Sequence, residues 1–235
     1  MGGIRETRKR ETRQAIIEAA VSLFSEKGFE KTSIEAIARM AGIGKGTIYG
    51  YFRAKEEIFL AFCEDEIDYA FGMLAEKNDP QAPLLEQLVI LFMSQFRFVT
   101  RNREFGRLLA REIAFPREVN REKSRDMDAR YLQGLGMLLS GARQRGELKP
   151  SVDNLLATGH LYAIYLLMLS CWYSGYLVEE QEVEASLRAL LHQALSGLGE
   201  RVSGDGGDPG VIEKISRRII AQSSTESGKR DETHE

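Results

Sequence analysis

The sequence predicts an all-α protein, with a small N-terminal three-helix unit followed by a larger helical body. Three observations point there. Apolar residues recur every three to four positions through most of the chain, as in helices that bury one face. The five prolines fall at breaks between these stretches, at positions 80, 83, 116, 150 and 209. Glycines such as Gly28, Gly42 and Gly146 stand where the periodicity stops, as helix C-caps do. With 43% apolar residues over 235 positions, the chain can bury a sizeable core in one or two domains.

Residues 1–13 contain Arg5, Arg8, Lys9, Arg10 and Arg13. They read either as a solvated tail or as an arm that touches nucleic-acid phosphates or a minor groove. A first helix then runs to about Lys27 with Ile16, Ala19, Ala20, Leu23 and Phe24 on its buried face. Thr32 and Glu35 have capping-box spacing and open a second helix. Its stripe is Ile34, Ile37, Ala38 and Ala41, with Arg39 outside. Gly42 is the expected left-handed turn residue. In the short helix that follows, Ile48 and Phe52 are one turn apart and can face inward. That leaves Lys45, Gly46, Thr47, Tyr49 and Gly50 facing out.

The outward set suits DNA. Lysine pairs with phosphate, Thr and Tyr hydroxyls donate to phosphate oxygens, and a glycine lets backbone approach a groove wall. Two helices joined by a short glycine-containing turn form a helix-turn-helix, whose second helix enters the major groove. By periodicity alone an ordinary two-helix corner with a solvated basic face fits equally well.

The segments GFEKTSIEAIA (28–38), AGIGKGTIYGYF (41–52) and KEE (55–57) together resemble the N-terminal domain of the TetR family of bacterial transcriptional regulators. The resemblance covers residues 10–57, about the first quarter of the chain. Gly44 stands where the family usually has a capping Ser, and Gly50 where it often has His or another contacting residue. Glycine weakens a helix interior by about 1 kcal/mol relative to Ala. The resemblance implies double-stranded DNA as a partner. The candidate contacts are Thr32, Lys45, Gly46, Thr47, Tyr49 and Lys55, with Tyr49 and Lys55 on phosphates and Thr47 on a base edge or methyl. It also implies a ligand-binding and dimerisation body, and a homodimer built from its last two helices, 153–198. The expected division is 1–54 for DNA binding, 55–200 for the body, and 201–235 for a linker, a possible short helix and a disordered tail.

Lys55 opens a helix of about 20 residues with Phe59, Cys63, Ile67, Ala70 and Leu74 on one face. By resemblance it links the two parts. Asn78 to Pro83 is a break. Residues 84–101 are apolar on several faces and read as a buried helix. Residues 103–114 form a shorter one, stopped by Phe115 and Pro116. Residues 117–146 are charged early and apolar later (Tyr131, Leu135, Leu138, Leu139), with Gly146 as C-cap. From Asn154 to Val178 no residue is charged. Length alone would allow a membrane span. Tyr162, Tyr165, Tyr173 and Tyr176 run through the middle, and no basic cluster flanks the segment, so a core helix that also faces a partner is the better reading. Residues 182–198 follow as an amphipathic helix. SGDGGDPG (203–210) is a linker, 211–221 has helical pattern, and 223–235 is polar tail.

Charge agrees with this division. Residues 1–55 carry 11 Lys/Arg against 6 Asp/Glu, a net of +5, while residues 56–200 carry 15 against 22, a net of −7. A basic front on an acidic body suits a nucleic-acid module joined to something that avoids nucleic acid. Cys63 and Cys171 lack CxxC spacing and read as small core residues in a reducing compartment. No apolar signal segment opens the chain, and the expected location is the bacterial cytoplasm, on DNA.

GIGKGT (42–47) departs from the phosphate-loop pattern, since Arg39 and Gly46 occupy required Gly and Ser/Thr positions. His160, His192 and His234 are too scattered for a metal motif, and His160 reads as a satisfied core histidine. No catalytic constellation stands out, so no enzyme activity, cofactor or metal is expected. Phe92, Phe96, Phe105, Tyr131, Met137, Tyr165, Met168 and Trp172 concentrate bulky side chains in the segments that the family uses around its pocket. Six of them are candidate ligand contacts: Phe92, Phe96, Tyr131, Tyr165, Met168 and Trp172. The ligand is expected to be apolar or aromatic, with Tyr hydroxyls or Arg111 as polar handles. For any single one of them, plain core is the better reading. The expected function is a ligand-responsive DNA-binding regulator, a repressor released from a palindromic operator. The alternative is a sensing module that acts through a protein partner, with a helix-turn-helix that is only structural.

Overall fold

The computed structural model describes residues 2–77, 79–114, 121–198 and Gly210; side chains at 2, 4 and 112–128 are left undescribed. The stop at Phe115 and Pro116 and everything expected beyond Leu198 lie outside these residues, Gly210 excepted. Nine helices are described: α1 (Gly2–Lys27), α2 (Ile34–Met40), α3 (Lys45–Tyr49), α4 (Lys55–Lys77), α5 (Leu84–Thr100), α6 (Arg103–Ala114), α7 (Arg121–Gln144), α8 (Asn154–Tyr173) and α9 (Glu180–Leu198).

They pack into two compact units, and three helices are shared between them. The first unit holds the chain up to Met73 together with Ser94–Tyr131. The second holds Leu74–Met93 and the chain from Leu132 onward. The boundary therefore runs through α4, α5 and α7.

In the first unit, Ile16, Ala19, Ala20, Leu23 and Phe24 are buried, as their spacing predicts. α1 starts far earlier than the tail or arm reading of residues 1–13 supposed. Nothing between Ile4 and Lys27 breaks a helix, and Glu6, Lys9, Arg10 and Glu11 are good helix formers. Thr7 and Thr12 hydroxyls fold back onto the carbonyls of Gly3 and Arg8 at 2.8 Å each. Arg13 is pinned rather than loose: its guanidinium donates to both Asp65 oxygens, at 3.0 and 3.3 Å, and ties α1 to α4. Phe24, Phe29, Phe59, Phe62, Phe98 and Phe105 form a continuous aromatic cluster, with centroids 4.6 to 6.1 Å apart.

In the second unit, the break after α4 is a turn in which Asp79 accepts from the Gln81 and Ala82 amides. The first amide of α5, at Leu84, donates to the Glu147 carboxylate at 2.7 Å. Gly146 has φ +78 and closes α7, as its sequence position predicts. α8 packs along α9. Asp153 caps α8 through the Leu156 amide. Phe92 and Tyr165 stack with centroids 5.3 Å apart and rings 9° from parallel. Arg188 makes a two-pronged pair with Glu86, at 2.5 and 3.0 Å.

α8 is the one helix among the described residues long and apolar enough to cross a membrane. One side of it, including Ala157, Leu161, Tyr165 and Met168, is buried in the protein. Leu156, His160, Ala163 and Leu167 follow one another by four, three and four residues, and all are exposed. His160 is thus not the core histidine expected from its apolar surroundings; the helix turns it to the outer face.

Candidate nucleic-acid interface

The corner between α2 and α3 is set by local backbone chemistry. Ser33, not Thr32, is the N-cap of α2: its side chain accepts from the Ala36 amide at 3.2 Å. The cap thus sits one residue later than the Thr32/Glu35 spacing predicts, and with Ala36 at its third helical position it forms no capping box. Thr32 is 3% exposed and its hydroxyl turns inward, 2.8 Å from the Gly28 carbonyl and 3.2 Å from that of Leu23. It holds the end of α1 against the start of α2, and its side chain is withdrawn from the contact set. Gly42 has φ +69, the left-handed conformation that lets the chain reverse after α2. The Ile43 amide then donates back to the Ala38 carbonyl at 3.0 Å.

α3 is short and anchored from one side. Ile48 is fully buried and Phe52, one turn on, is 6% exposed. Lys45, Gly46, Thr47, Tyr49 and Gly50 all face solvent, as the sequence predicts. Gly44 is the N-cap and supplies no side-chain acceptor, so the first amides of α3 stay available to an outside acceptor. In the protein alone, the Lys45 ammonium bonds the Glu35 carboxylate on α2 and lies 5.8 Å from the centre of the Tyr49 ring. The pair raises the Lys45 pKa and lowers that of Glu35, chiefly through their shared hydrogen bond.

Lys55 is used differently. Its ammonium donates to the carbonyls of Phe29, Glu30 and Thr32 at 2.8, 3.2 and 3.3 Å, and sits 4.5 Å from the centre of the Phe29 ring. Only 18% of its side chain is exposed. It joins the root of α4 to the α1–α2 turn and is withdrawn as a phosphate contact. Family spacing placed a lysine there; the tertiary contacts supply its partner.

Of the candidate ligand contacts, Phe92, Tyr165 and Met168 are buried in the second unit and Trp172 is half-buried. Phe96 and Tyr131 are buried in the first unit. Met137 is 65% exposed and drops out of the cavity group. The Tyr131 hydroxyl donates to Gln95 Oε1 at 2.7 Å, and Gln95 Nε2 reaches Glu66 at 3.4 Å. Glu66 is 4% exposed, and burial pushes its pKa up to about 8. It lies three residues after Cys63 and four before Ala70, so its place on the buried face of α4 was legible.

Residues 16–62 match the family model described as "Bacterial regulatory proteins, tetR family". The chain is similar to the fatty acid metabolism regulator protein of Bacillus subtilis, with 24% identity over 81% of this chain and 97% of that one. It is also similar to the transcriptional repressor KstR2 of Mycolicibacterium smegmatis, with 31% identity over 37% of this chain and 42% of that one. Among solved structures, FadR from Bacillus subtilis in complex with stearoyl-CoA superposes with a TM-score of 0.66 and 25% identity, covering 79% of this chain and 98% of that one.

Proposed function

We propose that the chain is a ligand-responsive DNA-binding transcriptional regulator of the TetR family, a repressor released from a palindromic operator by a largely apolar small molecule. The observation that carries the reading is the face of α3. Lys45, Gly46, Thr47 and Tyr49 are presented together, while Ile48 and Phe52 hold the helix from behind. These four form the proposed DNA-contacting set, with residues 1–54 as the DNA-binding part, 55–200 as the body and 201–235 as its appendage. Lys45 and Tyr49 would meet phosphates, and Thr47 a base edge or methyl. The basic first helix, with Arg5, Arg8 and Lys9 exposed, adds a second positive surface.

The exposed stripe of α8 supports a homodimer in which α8 and α9 of two copies form a four-helix interface. Leu156 is 74% exposed and Leu167 50%, more than a lone solvated helix would carry on one face. A twofold pairing would set the two copies of α3 roughly 34 Å apart, one turn of DNA. It would also cover the apolar face of α8 without a membrane. For the effector, Phe92, Tyr165, Met168 and Trp172 in the second unit and Phe96 and Tyr131 in the first remain the proposed contacts. Their character suits an apolar or aromatic molecule, and the FadR relative bound to stearoyl-CoA supports an acyl compound. The action is assigned to the cytoplasm, where the DNA is. The partner-protein alternative is not favoured, since regulators that bind DNA are what the relatives are.

The test uses the DNA upstream of its own coding region. The protein is expected to retard that fragment at moderate salt and to reduce transcription from it, and a long-chain acyl-CoA is expected to restore transcription. A variant with Lys45, Thr47 and Tyr49 all replaced by Ala should lose retardation, and Leu156→Arg with Leu167→Arg should give monomers. Unchanged retardation by the triple variant, or increased transcription with wild type, would refute the proposal.

A further inference from the structure

We propose that the groove between α1 and the α4–α5 pair is a second small-molecule site, built for a planar aromatic molecule that carries one anionic group. The groove encloses about 720 Å³ within the first unit. That is in the range of small-molecule sites, roughly 300–1,000 Å³. None of the six proposed effector contacts lines it.

Its walls are unequal. One is a ladder of rings: Phe105 against Phe62 at 4.6 Å, Phe62 against Phe98 at 5.1 Å, and Phe98 against Tyr69 at 5.1 Å. The other is the flank of α1, where Ile17 and Val21 face the groove. A flat ring fits between, since aromatic surfaces attract one another at offset or tilted spacings of this size.

The charges at the mouth set the class of ligand. Arg13 is engaged with Asp65 at 3.0 Å and with Glu64 at 3.7 Å, and Asp68 with Arg130 at 2.8 Å. Each of these charges has a partner. Arg101 lies 5.0 Å from the Tyr69 ring centre and 5.1 Å from that of Phe98, and it makes no ion pair with a described residue; nor does Arg10. Against these two cations stands Glu18, which accepts only the Gln14 amide, at 3.2 Å. The lining is balanced overall, three arginines against three carboxylates, but the charge of Arg101, the cation beside the aromatic slot, is met by no described carboxylate. A guanidinium beside two rings, with no carboxylate partner, keeps N–H donors for an incoming carboxylate, sulfonate or phosphate. A molecule seated there touches α1 and α4 at once and braces the helix on which α2 packs.

The experiment is a fluorescence titration of the full-length protein with two probes: anilinonaphthalene sulfonate, which is aromatic and anionic, and the uncharged phenylnaphthylamine. Val21→Trp fills the groove from α1. It should weaken one site per chain for both probes by about tenfold or more. Arg10→Ala with Arg101→Ala should weaken the sulfonate by about tenfold and the uncharged probe by less than about twofold. Helicity and melting temperature are followed for each variant. If Val21→Trp does not fold, the arginine pair, which lies at exposed positions, decides alone. Binding of both probes at wild-type strength by folded variants overturns the site. Equal weakening of both probes by the arginine variant overturns the anionic class. No DNA enters the measurement, so its failure is separate from failure of the repressor reading.

Discussion

The face of α3 and the root of α4 carry the same kind of residue ten positions apart and use it in opposite ways. Lys45 is held by the exposed side chains of Glu35 on α2 and Tyr49 on its own helix, partners that a phosphate can displace. Lys55 is surrounded by three carbonyls and an aromatic ring, and no phosphate can replace those partners without opening the α1–α2 turn. The acids divide in the same way. Glu35 is exposed and its pKa is lowered by a lysine, whereas Glu66 is buried and its pKa is raised to about 8. Charge in a sequence is therefore not a surface property by default; what counts is whether the fold has already supplied the counter-group.

The largest expected effect tests the buried acid. Folded protein keeps the Glu66 proton up to about pH 8, whereas unfolded chain releases it near 4.5. The folded state then binds more protons across that window, so this residue's contribution to stability falls as pH rises from about 4.5 to about 8 and is flat beyond. Glu66→Gln removes the penalty. Relative to wild type it should be neutral near pH 4 and more stable by on the order of 5 kcal/mol above pH 8. Denaturant melts at several pH values read this directly, and a gap that does not widen with pH would show that Glu66 is hydrated.

The two lysines come next. Lys55→Ala should cost about 2 kcal/mol, since hydrogen bonds from a charged group each contribute about that much and their loss leaves carbonyls unpaired. It should leave the salt dependence of DNA binding unchanged. Lys45→Ala should do the reverse, with stability unchanged and a log–log salt slope reduced by about one. If the two variants exchanged these phenotypes, the contrast between α3 and α4 would be wrong. The smallest effect concerns the cap of α3. A Cβ at Gly44 would lie 3.8 Å from Thr47 Oγ1, ordinary contact, so Gly44→Ser fits without displacement. It should stabilise by a few tenths of a kcal/mol, visible in a melt as about one degree.

The sequence by itself determined the helices, their order, the reversal at Gly42 and the outward set on α3. Each follows from side-chain period and from which residues tolerate a given backbone turn, and both are local properties. The buried side of α1 and the inward pair Ile48 and Phe52 were legible for the same reason. Tertiary structure alone decided that Thr32 bonds inward to Leu23 and Gly28, and that Lys55 closes on carbonyls 23 to 26 residues away. It alone turned His160 outward and joined Arg13 to Asp65 across 52 residues. These depend on which helix faces which, and no period within one segment encodes the chemistry of its distant neighbour.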